Sequence, residues 1–197
     1  MKRIIFGAVA LGLGLGLGGA PARAALMAEA TISATDNGSS YDYAIVLTNT
    51  STAGETIGTF WYAWIPGQDY LKTSPISTTS PAGWSATITH VPDVPTNGYA
   101  IAWTSGTFAS NDPAFRLAAG DTATFGFRSV DAPAEVFGDS LFFDNPPVGT
   151  SFVYIGQQFG DPGFRFVVAA VPEPSSLALA SVAGLAAAGA ALRRRRG

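Results

Sequence analysis

From Ala30 to Leu47 the chain alternates apolar and polar residues on either side of one turn. Ala30, Ile32 and Ala34 interleave with Thr31, Ser33 and Thr35; after Asp36-Asn37-Gly38, Tyr41, Tyr43, Ile45 and Leu47 share a face. A period of two sends successive side chains to opposite faces of an extended strand, whereas a helix burying one stripe needs a period near 3.6. Asn-Gly accepts the positive φ that hairpin turns require, so these two runs are expected to form an antiparallel hairpin. Similar short runs, bounded by Gly, Pro, Asn, Asp and Ser, recur at 56–65, 84–90, 99–104, 122–130, 140–143, 152–155 and 164–169. No stretch of the body carries a helical period. The expectation is an all-β fold, a single antiparallel β-sandwich of nine short strands.

The two ends follow a different pattern. Lys2 and Arg3 precede an apolar stretch from Ile4 to Gly19, and Ala22-Arg23-Ala24 places small residues where a signal peptidase inspects the chain. Residues 1–24 therefore read as a secretory signal peptide cleaved after Ala24. The alternating Gly and Leu of 11–18 make a poor stable helix, which argues against a retained anchor. At the other end stand Val171, Pro172, Glu173 and Pro174, then an apolar run from Leu177 to Leu192, then Arg193, Arg194, Arg195 and Arg196. The two prolines lack backbone donors and fix φ, so this linker continues neither a sheet ladder nor a helix. No charge occurs from Ser175 to Leu192. Those residues, as a helix at a rise of about 1.5 Å each, reach roughly 27 Å, close to the hydrocarbon thickness of a bilayer. Four consecutive arginines favour the cytoplasmic side of such a transmembrane helix. Positive charges at both ends thus leave everything between them outside.

Motif, apolar helix and Arg cluster, in that order, resemble the PEP-CTERM sorting signal of exported proteins in Gram-negative bacteria that make exopolysaccharide. The resemblance covers 171–197 and implies recognition by exosortase, a membrane protease-transpeptidase that cleaves near Pro172-Glu173-Pro174. It implies transient residence in the inner membrane, then delivery to the outer surface or the extracellular matrix. The organisation expected is a signal peptide at 1–24, one sandwich domain at 25–170 and a sorting signal at 171–197.

Seven of the eleven basic residues lie in the two ends. The body keeps Lys72, Arg116, Arg128 and Arg165 against thirteen carboxylates, a net charge of −9. Such a surface repels nucleic acid and anionic lipid. Cysteine is absent, so packing rather than disulfides holds the fold even in an oxidising compartment. Two stretches, 43–50 ending in Leu-Thr-Asn-Thr and 117–128 with Ala-Gly-Asp before an alternating strand, resemble immunoglobulin-like or fibronectin-like sandwich modules of bacterial surface proteins. A jelly-roll arrangement of the same strands is the further option. Segments 66–83, 108–117 and 131–138 read as long loops.

Catalytic chemistry is poorly provisioned. His90 is the single histidine, and it closes a strand. There is no Gly-x-Ser-x-Gly elbow, no cysteine nucleophile and no His-Glu-x-x-His motif. A glycosidase needs only two carboxylates, but Asp36, Asp93, Asp112, Asp121, Asp131 and Asp161 sit in turn-like settings where they cap backbone. Asp139, Asp144 and Asn145 lie close together without matching a calcium loop. No catalytic residue, metal or cofactor is assigned. The aromatic run is the remaining lead, since alternation puts Phe60, Tyr62 and Trp64 on one strand face and Ile57, Thr59, Trp61, Ala63 and Ile65 on the other. Either the trio is core, or it is a carbohydrate-binding platform on which sugar rings stack. The expected role is a non-enzymatic structural or adhesive protein of the surface or exopolysaccharide matrix. A carbohydrate-binding module is the alternative, and a matrix-polymer hydrolase a third option.

Overall fold

The first hairpin is present in full: β1 (Ala28–Asp36) pairs with β2 (Tyr41–Asn49) from Ala28↔Asn49 to Asp36↔Tyr41. Its turn closes as the residue types dictate. Gly38 takes φ 86°, and its N–H donates to the Asp36 carboxylate at 2.7 Å. The computed structural model describes residues 25–90, 97–143 and 146–171. The expected signal peptide, the sorting residues Pro172, Glu173, Pro174 and Arg193 to Arg196, the apolar run between them, and Asp93, Asp144 and Asn145 lie outside the described residues.

The later strands are β3 (Thr59–Tyr62), β4 (Trp64–Ile65), β5 (Gln68–Asp69), β6 (Ser77–Thr79), β7 (Trp84–Thr89), β8 (Ala100–Thr107), β9 (Ser110–Asn111), β10 (Thr122–Ser129), β11 (Thr150–Tyr154), β12 (Gly163–Val167) and β13 (Ala169–Ala170). One sheet has the order β13-β1-β2-β10-β6, with β13 parallel to β1 and the other pairs antiparallel. A second runs β12-β11-β3-β8-β7, with β9 paired to β8, and β4-β5 form a separate ribbon.

Alternation decides which faces meet. Ile32, Ile45, Leu47, Phe125 and Phe127 point from the first sheet, and Phe60, Tyr62, Ile101, Trp103 and Val153 from the second, into one buried cluster. Phe60 lies 5.4 Å from Trp103 and 5.3 Å from Phe125, with Tyr62 5.4 Å from Phe127. Polar anchors fix the sheets against each other. The Trp103 indole donates to the carbonyl of Thr79 in β6 at 3.1 Å. Buried Asp131 accepts from the Thr73 N–H and hydroxyl, and its carbonyl accepts from the Tyr43 hydroxyl at 2.6 Å. Burial first, and the Asp131 charge second, push that phenol well above its usual range.

Three expectations need correction. The expected strand at 140–143 is absent, and residues 141–143 form bends; the Ser140 hydroxyl accepts from the Phe142 N–H, a local bond that competes with ladder pairing. The expected loop 131–138 holds a short helix, α1 (Pro133–Phe137), which starts on a proline and whose Glu135 carboxylate reaches back to the Ala132 N–H. Within the expected loops 66–83 and 108–117, the short strands β6 and β9 add to the two sheets, and β5 pairs with β4 in the separate ribbon. Among the described residues no helix is long and apolar enough to cross a membrane.

Asp131→Ala should destabilise the protein by about 1–3 kcal/mol, because the Thr73 donors lose their buried acceptor; urea unfolding measures it. Trp103→Ala should cost about 3–5 kcal/mol. On the surface, Arg128 and then Asn37 hold the Asp42 carboxyl below its ordinary value of 3.8. A lowered carboxylate stabilises above its unfolded pKa and loses that effect as pH falls through the folded value. Asp42→Asn should therefore flatten the acid limb of the stability profile.

Candidate functional site

Phe60, Tyr62 and Trp64 do not form a solvent-facing row. Phe60 and Tyr62 are fully buried between the sheets, and Trp64 is only 3% exposed on a different face. The break lies at Ala63, whose φ of 57° is left-handed. Strict alternation holds only while every residue is extended. One left-handed residue ends β3, starts β4 and turns Trp64 onto Trp61, which it stacks at 4.2 Å and 22°. The platform reading of that trio is thereby overturned.

A second aromatic cluster sits instead on the outer face of the second sheet, covered by loops. Trp61, Trp64, Ala100, Ala102 and Tyr154 form a second buried cluster, with Phe152 packed against it. Trp61 is directly opposite Ala102 on β8 and Phe152 on β11, and the small alanine leaves room for an indole. Gly163 performs the same service on β12: a Cβ there would stand 2.5 Å from the Phe152 ring and 2.7 Å from Tyr154.

Two loops complete the surface. The 155–162 connection is pinned by the Thr59 hydroxyl bonding to Gly156 O at 2.6 Å and by the Trp61 indole donating to the Gln158 side chain at 2.9 Å. At its tip Phe159 has φ 63°, is 68% exposed, and meets Trp64 edge-on at 5.7 Å. From the β8–β9 turn, Phe108, 38% exposed, meets Trp61 at 6.3 Å. None of these rings carries a formal charge. At the border, Arg165 is opposite Phe152, and Asp161 accepts from the Gln157 N–H. Burial raises the Tyr154 phenol above its usual value. Sequence periodicity missed this face because its four main rings come from three separate segments.

Several titratable groups elsewhere hold structure. His90 Nδ1 is 2.6 Å from Gly98 O and its ring stacks on Tyr99. The carboxylates of Asp36, Asp112 and Asp161 accept backbone N–H groups, and Asp42 pairs with Arg128. Among the described residues no group of three His, Cys, Asp or Glu converges on a metal-sized site.

The C-terminal end of the body is tied down at the sheet edge. β13 pairs with Thr31 and Ile32, and the Val171 N–H donates to Ile32 O at 2.8 Å. Beside it lies a groove of about 330 Å³ lined by Ala28, Ala30, Val46, Phe166, Val167 and Ala169 among others. Immediately beyond, the family model of the PEP-CTERM protein-sorting motif matches residues 170–196. The chain carries a PEP-CTERM sorting motif. That motif marks an exported protein sorted to the cell surface.

No curated protein matches the chain. Among solved structures, the PEP-CTERM-bearing chain is similar to a GH20 exo-β-N-acetylglucosaminidase from Vibrio harveyi in complex with N-acetylglucosamine. Identity there is 11% and the TM-score 0.42, over 74% of this chain and 18% of that one. It is also similar to CBM3b of the major scaffoldin subunit ScaA from Acetivibrio cellulolyticus, at 12% identity and TM-score 0.35, over 64% of this chain and 90% of that one. A biomass-sensoring module of Rsgi2 from Clostridium thermocellum, described as resembling a family 3 carbohydrate-binding module, matches at 13% and 0.36, over 68% and 95%. The chain spans under a fifth of the glucosaminidase, and likenesses this distant carry no functional argument.

Trp64→Ala should lower stability by about 3–5 kcal/mol although the residue lies outside the main core. Ala63→Val should cost about 1–3 kcal/mol, because a β-branched residue resists positive φ. Thermal unfolding of both variants tests whether the left-handed break shapes this face.

Proposed function

We propose that this chain is a non-enzymatic protein that exosortase processes at Pro172-Glu173-Pro174 and that then resides on the outer surface or in the exopolysaccharide matrix, in a structural or adhesive role. The observation that carries the reading is the sorting motif at 170–196, directly after a folded β-body. Supporting it are the signal-peptide pattern of 1–24, removed by signal peptidase, and the uncharged run from Ser175 to Leu192, which would anchor the precursor in the inner membrane. A body of net charge −9 without cysteine suits an exported domain that needs neither nucleic acid nor disulfides. The engagement of Asp36, Asp42, Asp112, Asp131 and Asp161 in structural bonds favours a non-catalytic role over a hydrolase.

The body ends almost without slack. Val171 is bonded to β1, and Pro172 follows it. Proline at 172 and 174 lacks the backbone donor that a ladder or a helix interior needs.

Intact-mass measurement of the protein from cells with and without exosortase tests the reading. The mature form should run from near Ala25 to the vicinity of Pro174 when exosortase is active. Retention of Leu177 to Leu192 in those cells would sink it. Replacing both Pro172 and Pro174 by Ala should let helix extend upstream and make the unprocessed precursor accumulate in the inner membrane; normal release of that variant counts against the assignment of the motif.

A further inference from the structure

Bulky residues rarely adopt a left-handed backbone, and when they do the surrounding structure holds them there against strain, commonly at functional sites. Among the described residues two non-glycine positions have positive φ, Ala63 and Phe159. Both build the same surface. Ala63 turns Trp64 outward onto Trp61, and Phe159 presses its ring on Trp64 while leaving most of that ring in solvent. A strained backbone whose product is an exposed phenylalanine is hard to explain by packing alone, because glycine at this position would relieve both costs.

The occupant follows from size and charge. Phe108 and Phe159 are 38% and 68% exposed. Rings of about 150–250 Å² each, so exposed, offer far less than the roughly 800 Å² per partner of a stable protein interface. The rings are uncharged and the body is acidic, which disfavours polyanions and anionic lipid. A narrow, neutral ligand with apolar C–H faces and a hydroxyl rim remains. Exposed Gln157, Thr107 and Ser110 supply hydrogen-bonding groups at the margin for such hydroxyls.

We infer that Phe108 and Phe159, mounted on the buried Trp61–Trp64 stack, bind neutral polysaccharide by stacking on sugar rings, with Phe159 as the leading contact. The inference rests on the export reading, since it needs the body outside the cell beside such polymers. It gives the adhesive role a chemical basis.

Affinity electrophoresis of the processed protein tests it in gels carrying hydroxyethyl cellulose, laminarin, dextran or glycol chitin, with alginate and anionic vesicles as charged probes. Retardation by at least one neutral polymer is expected. Phe159→Ala should weaken it about tenfold or more, the scale on which loss of one stacking ring is felt. Leu141→Ala, which trims an equally exposed apolar residue elsewhere, should leave it unchanged. Phe159→Gly should lose binding while melting at or above the wild-type temperature, because glycine accepts the left-handed backbone. A merely structural Phe159 would lower the melting temperature and leave retardation intact. Absence of retardation by every neutral polymer, binding only to alginate or vesicles, or full binding by Phe159→Ala would each overturn the inference. Intact mass separates the two readings: a correctly processed protein that is not retarded removes the stacking surface and leaves the export reading standing. An unprocessed chain, solubilised in detergent, that is still retarded does the reverse.

Discussion

The contact between Phe60, Trp103 and Phe125 is where the two sheets meet, and the other layers are arranged around it. With no cysteine in the chain, the sheets are joined by burial and by a few polar ties. Large rings suit that task because each removes much apolar area from water and still packs in a defined orientation. The Trp103 indole and Tyr43 hydroxyl add direction, since each ends on a carbonyl across the sandwich or beneath it. A buried polar group that lacked such a partner would cost stability, so these bonds also discriminate against slipped registers.

The same strand that feeds this core feeds the outer face, because β3 exposes alternate residues to the two sides. Phe60 and Tyr62 go inward and Trp61 outward. Ala63 then breaks the alternation and adds Trp64 to Trp61 rather than to Phe60. A single backbone dihedral thereby decides whether the chain has a three-ring core row or a two-indole outer stack. Ala100, Ala102 and Gly163 matter for the complementary reason that their small size leaves the sheet surface low enough to seat the rings.

The opposite edge is organised by backbone instead of side chains. The parallel pairing of β13 with β1 brings the last body residues against the first strand, so the point where the sorting motif begins is part of the fold.

Local pattern determined a good deal by itself. The β1–β2 hairpin, the strand within 122–130 and the all-β class were legible because period-two alternation and Asn-Gly turn chemistry act within a few residues. The sorting motif was legible for a similar reason, being a contiguous run of residue types. Tertiary structure alone decided the side taken by Trp64 and the pairing of β13 with β1. Each depends on partners distant in sequence or on one left-handed residue that alanine does not advertise. The outer aromatic surface is the extreme case. Its rings come from β3 and β4, the β8–β9 turn and the 155–162 loop, and only strand register brings those segments together.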